Sequence, residues 1–138
     1  SRHIPIVVPM EHESYPDPWT QGMFRQEIMS NNSRFYMAYQ EEEVVGYGGF
    51  WLVLDEAHIT KLTVAKRHQR RGLGRLILKF LLDQGRHCGA TSSSLEVREG
   101  NEPARLLYRT EGYQDIGKRE GYYRRTGETA IIMSRTLD

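Results

Sequence analysis

The sequence has a single cysteine, Cys88, so no disulfide can form within the chain, and the expected setting is reducing and cytoplasmic. It has no apolar run near the roughly 20 residues that cross a bilayer, so no membrane partner is expected. It has no excess of one charge: 19 basic and 18 acidic residues leave a formal net charge of +1. That balance gives no general drive towards nucleic acid, and any basic patch must be local. The opening SRHIPIVVPMEHE is broken by Pro5 and Pro9 and lacks a small-residue cleavage site, so no secretory leader is expected. Repeats, low-complexity tracts and long linkers are absent as well. With 138 residues, one domain over 1–138 is expected.

What is present is a mixture of strand and helix patterns. RFYMAYQ, Val44–Leu54, AHITKLTVA and SSLEVR read as strands, and residues 112–123 and 129–137 as a last hairpin. Thr20 can cap a helix through Met23, Phe24, Glu27 and Ile28. Leu73, Leu76, Ile77, Phe80 and Leu81 recur on one helical face. Asn101 can cap a further helix, with Pro103 in its first turn and Gly112 as its stop. Strands in an early run, then alternating with helices, predict an α/β chain with helices packed on a mixed sheet.

One stretch carries a chemical signal. After the strand HITKLTVA comes KRHQRRGLGR, and then the apolar helix. The first amides of a helix lack partners and carry partial positive charge. Gly72 and Gly74 would let an anion approach them, with Arg70, Arg71 and Arg75 nearby. Neither a P-loop nor a dinucleotide fingerprint is present, since position 77 is Ile. The run alone leaves three readings open: a diphosphate site, a solvated basic turn with capping glycines, or a nucleic-acid patch. Nothing shows metal-ligand spacing: His58, His68 and His87 are scattered, and Cys88 has no cysteine partner. Cys88 is expected to be a small buried residue.

The ordered set QRRGLG, LEVREGN, ARLLYRTEGY and YY resembles the GNAT superfamily of acetyl-coenzyme A-dependent N-acetyltransferases. ESYPDPWT and ETAIIM resemble its RimI branch, bacterial enzymes that acetylate the N-terminal alanine of a small-subunit ribosomal protein. The likeness runs over about residues 11–136. It implies a mostly antiparallel sheet with splayed central strands. It also places HIPIVVPMEHE on the first helix rather than a strand, leaving the usual first strand missing or trimmed.

The same resemblance assigns residues. Acetyl-coenzyme A is the implied co-substrate and no metal is implied. The backbone from Arg70 through Arg71, Gly72, Leu73 and Gly74 to Arg75 would hold its diphosphate. The main chain of Leu62, Thr63 and Val64 would pair with its pantetheine arm, the Val64 N–H would meet the thioester oxygen, and Asn101 would touch the coenzyme. Glu96 is the implied general base and Tyr108 the implied general acid. Tyr15, Pro16, Trp19, Tyr122 and Tyr123 would form the groove for the N-terminus of a protein or peptide. The residues themselves leave other roles open: an ion-paired strand carboxylate for Glu96, a packed ring for Tyr108, a helix cap for Asn101. Other amines, such as a lysine side chain or a small molecule, and a non-catalytic coenzyme-binding module also stay open. The oligomeric state is not legible.

Overall fold

The computed structural model describes residues 4–16, 18–69 and 72–138. Arg70 and Arg71, two of the expected diphosphate residues, lie outside the described residues.

The described chain starts with a helix, α1 (Ile4–Ser14), although Pro9 sits inside it. Pro9 has no N–H to give to the carbonyl one turn back. Packing overrides that loss: Ile4, Val7 and Glu11, spaced along one face, are all buried. α2 (Gln21–Met29) follows, and the Thr20 hydroxyl accepts from the Met23 amide as the expected cap. Three antiparallel strands come next, β1 (Ser33–Gln40), β2 (Glu43–Val53) and β3 (Glu56–Val64). α3 (Leu73–His87), β4 (Ser92–Arg98) and α4 (Glu102–Thr110) lead to the hairpin β5 (Gln114–Tyr123) and β6 (Glu128–Thr136). These are the strands, helices and hairpin expected from the pattern, and the early helix is the one the resemblance implies.

The six strands form one sheet in the order β1-β2-β3-β4-β6-β5. Among the described residues only β3 and β4 run parallel, and they pair at three positions: Glu56 with Ser92, Ala57 with Ser93, His58 with Ser94. Beyond His58 the two strands part, which is the expected splay. β3 carries one unmatched residue, Thr60, because Gly49 pairs with Lys61 and Phe50 with Ile59. Such a bulge bends a strand, and it lies where β3 leaves β4.

Alternation along the strands gives the sheet two apolar faces. Phe35 and Met37 of β1 pack with Ile4, Val7, Phe24 and Tyr47 under α1 and α2. Tyr36 and Ala38 pack on the other face with Phe50, α3 and Tyr108 of α4. The buried side of α3 is Ile77, Leu78, Leu81, Leu82 and Gly85, with each large side chain contributing about 1.5–3 kcal/mol. That corrects the expected stripe: Leu76 and Phe80 are exposed. Consecutive apolar residues supply two overlapping stripes, and the sheet selects the one containing Leu78 and Leu82. Cys88 is also corrected, from buried to exposed, because it is the C-cap of α3 and lies past the covered turns.

Candidate active site

The parting of β3 and β4 opens a cleft of about 560 Å³. Its walls include Leu62 of β3, Glu96 of β4, Asn101 and Tyr108 at α4, Tyr15 and Trp19 from the α1–α2 connection, and Tyr122 and Tyr123 of β5. Eight of the residues singled out from sequence therefore meet in one place. Pro16 is exposed and does not line the cleft. Thr63 is buried beneath it.

At the start of α3, Gly72 is the N-cap and has φ of +79°, a left-handed conformation suited to glycine. Among the described residues no side chain caps the first turn, and an added Cβ at Gly72 would meet nothing within 4 Å. The first amides of the helix are thus without a side-chain cap among those residues, an arrangement that suits an anion. At Gly74 an added Cβ would sit 3.5 Å from Leu107, an ordinary contact. The Arg75 guanidinium is ion-paired with Glu111, the C-cap of α4, so its charge is partly compensated.

The carbonyls of β3 that face the gap are occupied by side chains. The Tyr15 hydroxyl donates to the Leu62 carbonyl at 3.2 Å and contacts the Thr63 hydroxyl at 2.6 Å. The Gln69 amide donates to the Val64 carbonyl at 3.0 Å. A strand-like ligand lying in the gap would take the Leu62 and Val64 carbonyls in place of these side-chain donors.

Glu96 lines the cleft half-buried, between Leu95 and Val97, which are buried and border the cleft as well. Its Oε1 lies 3.3 Å from His58 Nε2 and 3.2 Å from the Tyr122 hydroxyl. Desolvation pushes its pKa up, but the His58 hydrogen bond and charge, Tyr122 and Arg119 together outweigh that and leave it below the ordinary carboxylate value. His58 is raised, first by its hydrogen bond to Glu96, against the effect of burial. Tyr108 is buried, and its hydroxyl makes no hydrogen bond among the described residues. Burial, and then the nearby phenols of Tyr15, Tyr113 and Tyr123, raise its pKa far above the ordinary phenol value. Asn101 caps α4 by accepting from the Ala104 amide at 3.3 Å, and it lines the cleft too. Both roles left open for it from sequence are compatible with this position.

Three cleft-forming residues had no sequence signal. Glu11, fully buried in α1, accepts from the Tyr47 hydroxyl at 2.6 Å, the Trp19 amide at 2.8 Å and Lys61 Nζ at 2.5 Å. Lys61 in turn lies over the rings of Tyr15 and Trp19, at 4.1 and 4.6 Å from their centroids. This buried pair fixes the aromatic wall. Burial, and secondarily the Glu11 charge, push Tyr15 up to about 12, so it stays a hydroxyl donor. His58 is the third. Tyr123 packs on Arg98, 4.0 Å from ring centroid to guanidinium, and Tyr122 meets Tyr123 edge-on at 5.0 Å.

An elongated ligand with a diphosphate at one end and a thioester at the other fits this frame. The first amides of α3 match the first end, the gap beside Leu62 and Val64 the middle, and Glu96 and Tyr108 flank the far end.

Comparison with known proteins agrees with the geometry. The model of the acetyltransferase (GNAT) family matches residues 4–113. The chain is 32% identical over 136 residues to ribosomal protein bS18-alanine N-acetyltransferase of Escherichia coli (strain K12), spanning 95% of this chain and 89% of that protein. It is 35% identical over 123 residues to N-alpha-acetyltransferase RimI of Mycobacterium tuberculosis, spanning 86% and 76%. The crystal structure of ribosomal-protein-S18-alanine N-acetyltransferase from Escherichia coli superposes with a TM-score of 0.91 at 28% identity, over 100% of this chain and 90% of that one. A match of this length and identity reaches past the fold to the lineage: the chain belongs to the acetyltransferase (GNAT) family, on its RimI-like side.

Proposed function

We propose that the chain moves an acetyl group from acetyl-coenzyme A to the N-terminal amine of a protein, alanine first, by direct attack within a ternary complex. Ribosomal protein bS18 is the proposed acceptor, after the activity for which the relatives are named. The observation that carries the reading is the parting of β3 from β4 after His58, with the first amides of α3 at one end of the gap and Glu96 and Tyr108 in the cleft.

Acetyl-coenzyme A supplies an activated acetyl thioester. The amides at Gly72, Leu73, Gly74 and Arg75 hold its diphosphate, and Arg70 and Arg71, next before them in the sequence, are its proposed charged partners. Leu62 and Val64 exchange their Tyr15 and Gln69 partners for the pantetheine amides. The Val64 N–H stabilises charge at the thioester oxygen. Tyr15, Trp19, Tyr122 and Tyr123 hold the start of the acceptor chain. Glu96 steers the ammonium and takes its proton, a modest task because an α-amine has a pKa of about 7.7–8.0. Tyr108, which keeps its proton across the working range, donates it to the departing thiolate.

Mass spectrometry of a peptide library incubated with acetyl-coenzyme A tests this. Acetylation at the N-terminal amine of alanine-first peptides is expected. Equal transfer to lysine side chains or small amines would overturn the acceptor assignment, and coenzyme binding with no transfer to any amine would overturn the enzymatic one.

A further inference from the structure

We infer that His58 and Glu96 act as one proton-accepting pair, in which Ser94 and Glu56 fix the imidazole so that the amine's proton comes to rest on His58 Nε2. The inference rests on the reading of Glu96 as the group that meets the amine.

Hydrogen-bond bookkeeping carries it. A carboxylate only accepts, and a serine hydroxyl has one proton to give. Ser94 Oγ lies 2.8 Å from Glu56 Oε2, so its proton is committed there. Ser94 Oγ also lies 2.8 Å from His58 Nδ1, so Nδ1 must be the donor of that contact. Glu96 also only accepts, so both ring contacts are satisfied together in the imidazolium, and when the ring loses a proton the Ser94–Glu56 contact keeps the one on Nδ1 and leaves Nε2 as the titrating atom. Nε2 faces Glu96 Oε1 at 3.3 Å on the cleft wall. Oε1 is further occupied by the Tyr122 hydroxyl, which leaves Oε2 for the amine. The chain Glu56–Ser94–His58–Glu96 thus joins β3 to β4 at the last pair before the strands part.

Charges around the ring come from both strands that flank the gap and from the hairpin. Glu56 lies on β3 itself and Glu96 on β4, and both favour the imidazolium. Arg119 and Tyr122 of β5 act on Glu96. β2 presents the uncharged Trp51 ring, 6.5 Å away between centroids. A general base works best with a pKa near the working pH. Glu96, held below the carboxylate range, is poorly matched to an ammonium, whereas His58 is raised towards it.

In the step itself, the ammonium N–H bond breaks and its electron pair stays on nitrogen for attack on the thioester carbonyl. The proton enters the pair at the Glu96 carboxylate and ends in an Nε2–H bond. The pair goes from one negative charge to none, and the amine from one positive charge to none. Activity therefore rises with pH as His58 becomes neutral. Glu96 touches the amine, and His58 is a positioning residue that also stores the proton.

Two measurements test this on the intact chain. Two-bond 1H–15N spectra of the 15N-labelled protein, without substrates, follow each imidazole against pH, with His58→Gln assigning the resonance. His58 is expected to titrate above about 6.5 and to carry its neutral-form proton on Nδ1. A neutral form protonated on Nε2 would overturn the proposal. Ser94→Ala, a small change that leaves the pair in place, frees the neutral ring to donate from Nε2 and should lower the titration. The second measurement is kcat/KM for an alanine-first peptide against pH at saturating acetyl-coenzyme A, because that ratio reports the groups of the form without peptide. The acidic limb should move to lower pH in Ser94→Ala by the same amount as the NMR titration. In His58→Gln kcat should fall about 10²-fold while the KM for acetyl-coenzyme A changes little. A limb that stays put while the NMR titration moves would overturn the proposal, because a merely structural role changes the rate and not the limb. A wild type that acetylates no N-terminal amine would remove the underlying reading instead, and the tautomer measured by NMR would report the geometry separately.

Discussion

At the scale of single residues, Tyr108 separates stability from turnover. Its ring is buried, while its hydroxyl makes no hydrogen bond among the described residues and is not closed off from the cleft. Tyr108→Phe therefore gives up no hydrogen bond and keeps the ring that meets Tyr113 edge-on at 5.8 Å. The variant should be as stable as the wild type in urea, while kcat falls about 10²-fold. A variant with wild-type kcat would remove the acid role. Glu96→Gln should lower kcat by at least a similar factor and also bring the His58 titration down, because the carboxylate is the largest influence raising it. That Glu96, Tyr108 and Asn101 meet in one cleft was legible through the family motifs that contain them. The places of His58, Lys61 and Glu11 were not. His58 meets Ser94 across 36 positions and Lys61 meets Glu11 across 50, and periodicity within one strand does not report such a pairing.

At the scale of elements, the start of α3 is where backbone geometry and ligand binding make the same demand. Gly72 has φ of +79°, where a Cβ costs roughly 1–2 kcal/mol. Gly74 is helical, and an added Cβ there has ordinary contacts with Leu107 and Val64. Alanine should act in opposite directions at the two positions. Gly72→Ala should destabilise by about 1 kcal/mol and weaken acetyl-coenzyme A binding, because relieving the strain re-aims the first amides. Gly74→Ala should stabilise by about 0.5–1 kcal/mol through helix propensity. Urea melts give the stabilities and calorimetric titration the affinities; a destabilising Gly74→Ala would mean that the glycine is held by something other than helix geometry. The caps at Thr20 and Asn101, the stop at Gly112 and the six strands were legible because local chemistry fixes them. The rotation of α3 was not, since its consecutive apolar residues fit two stripes and only the sheet distinguishes them. The helical state of Ile4–Ser14 was not legible from propensity either: Pro9 argues against it, and burial of Ile4, Val7 and Glu11 decides it.

At the scale of the whole molecule, the sheet is cooperative on both sides of a deliberate break. β1, β2 and β3 form one antiparallel half and β4, β6 and β5 the other, joined by three parallel pairs and the hydrogen-bond chain through His58 and Ser94. Nothing in the composition announces that break. It follows from a bulge at Thr60 and from side chains, Tyr15 and Gln69, that satisfy carbonyls which a neighbouring strand would otherwise take. A ligand lying in the gap substitutes for that strand and ties the halves together, so it should raise the global stability and not merely order a loop. For one site, stabilisation is about 2.7 kcal/mol at a ligand concentration one hundred times Kd. Acetyl-coenzyme A at that excess should shift the urea midpoint accordingly. S-acetyl-pantetheine has the arm and the thioester but lacks the diphosphate and the nucleoside beyond it, so comparison with Gly72→Ala is needed to assign the difference to the helix terminus. At equal concentration it should give little or none of the shift, and its small effect should be unchanged in Gly72→Ala. A full shift from S-acetyl-pantetheine would show that the gap alone binds the ligand and that the α3 amides do not hold a diphosphate.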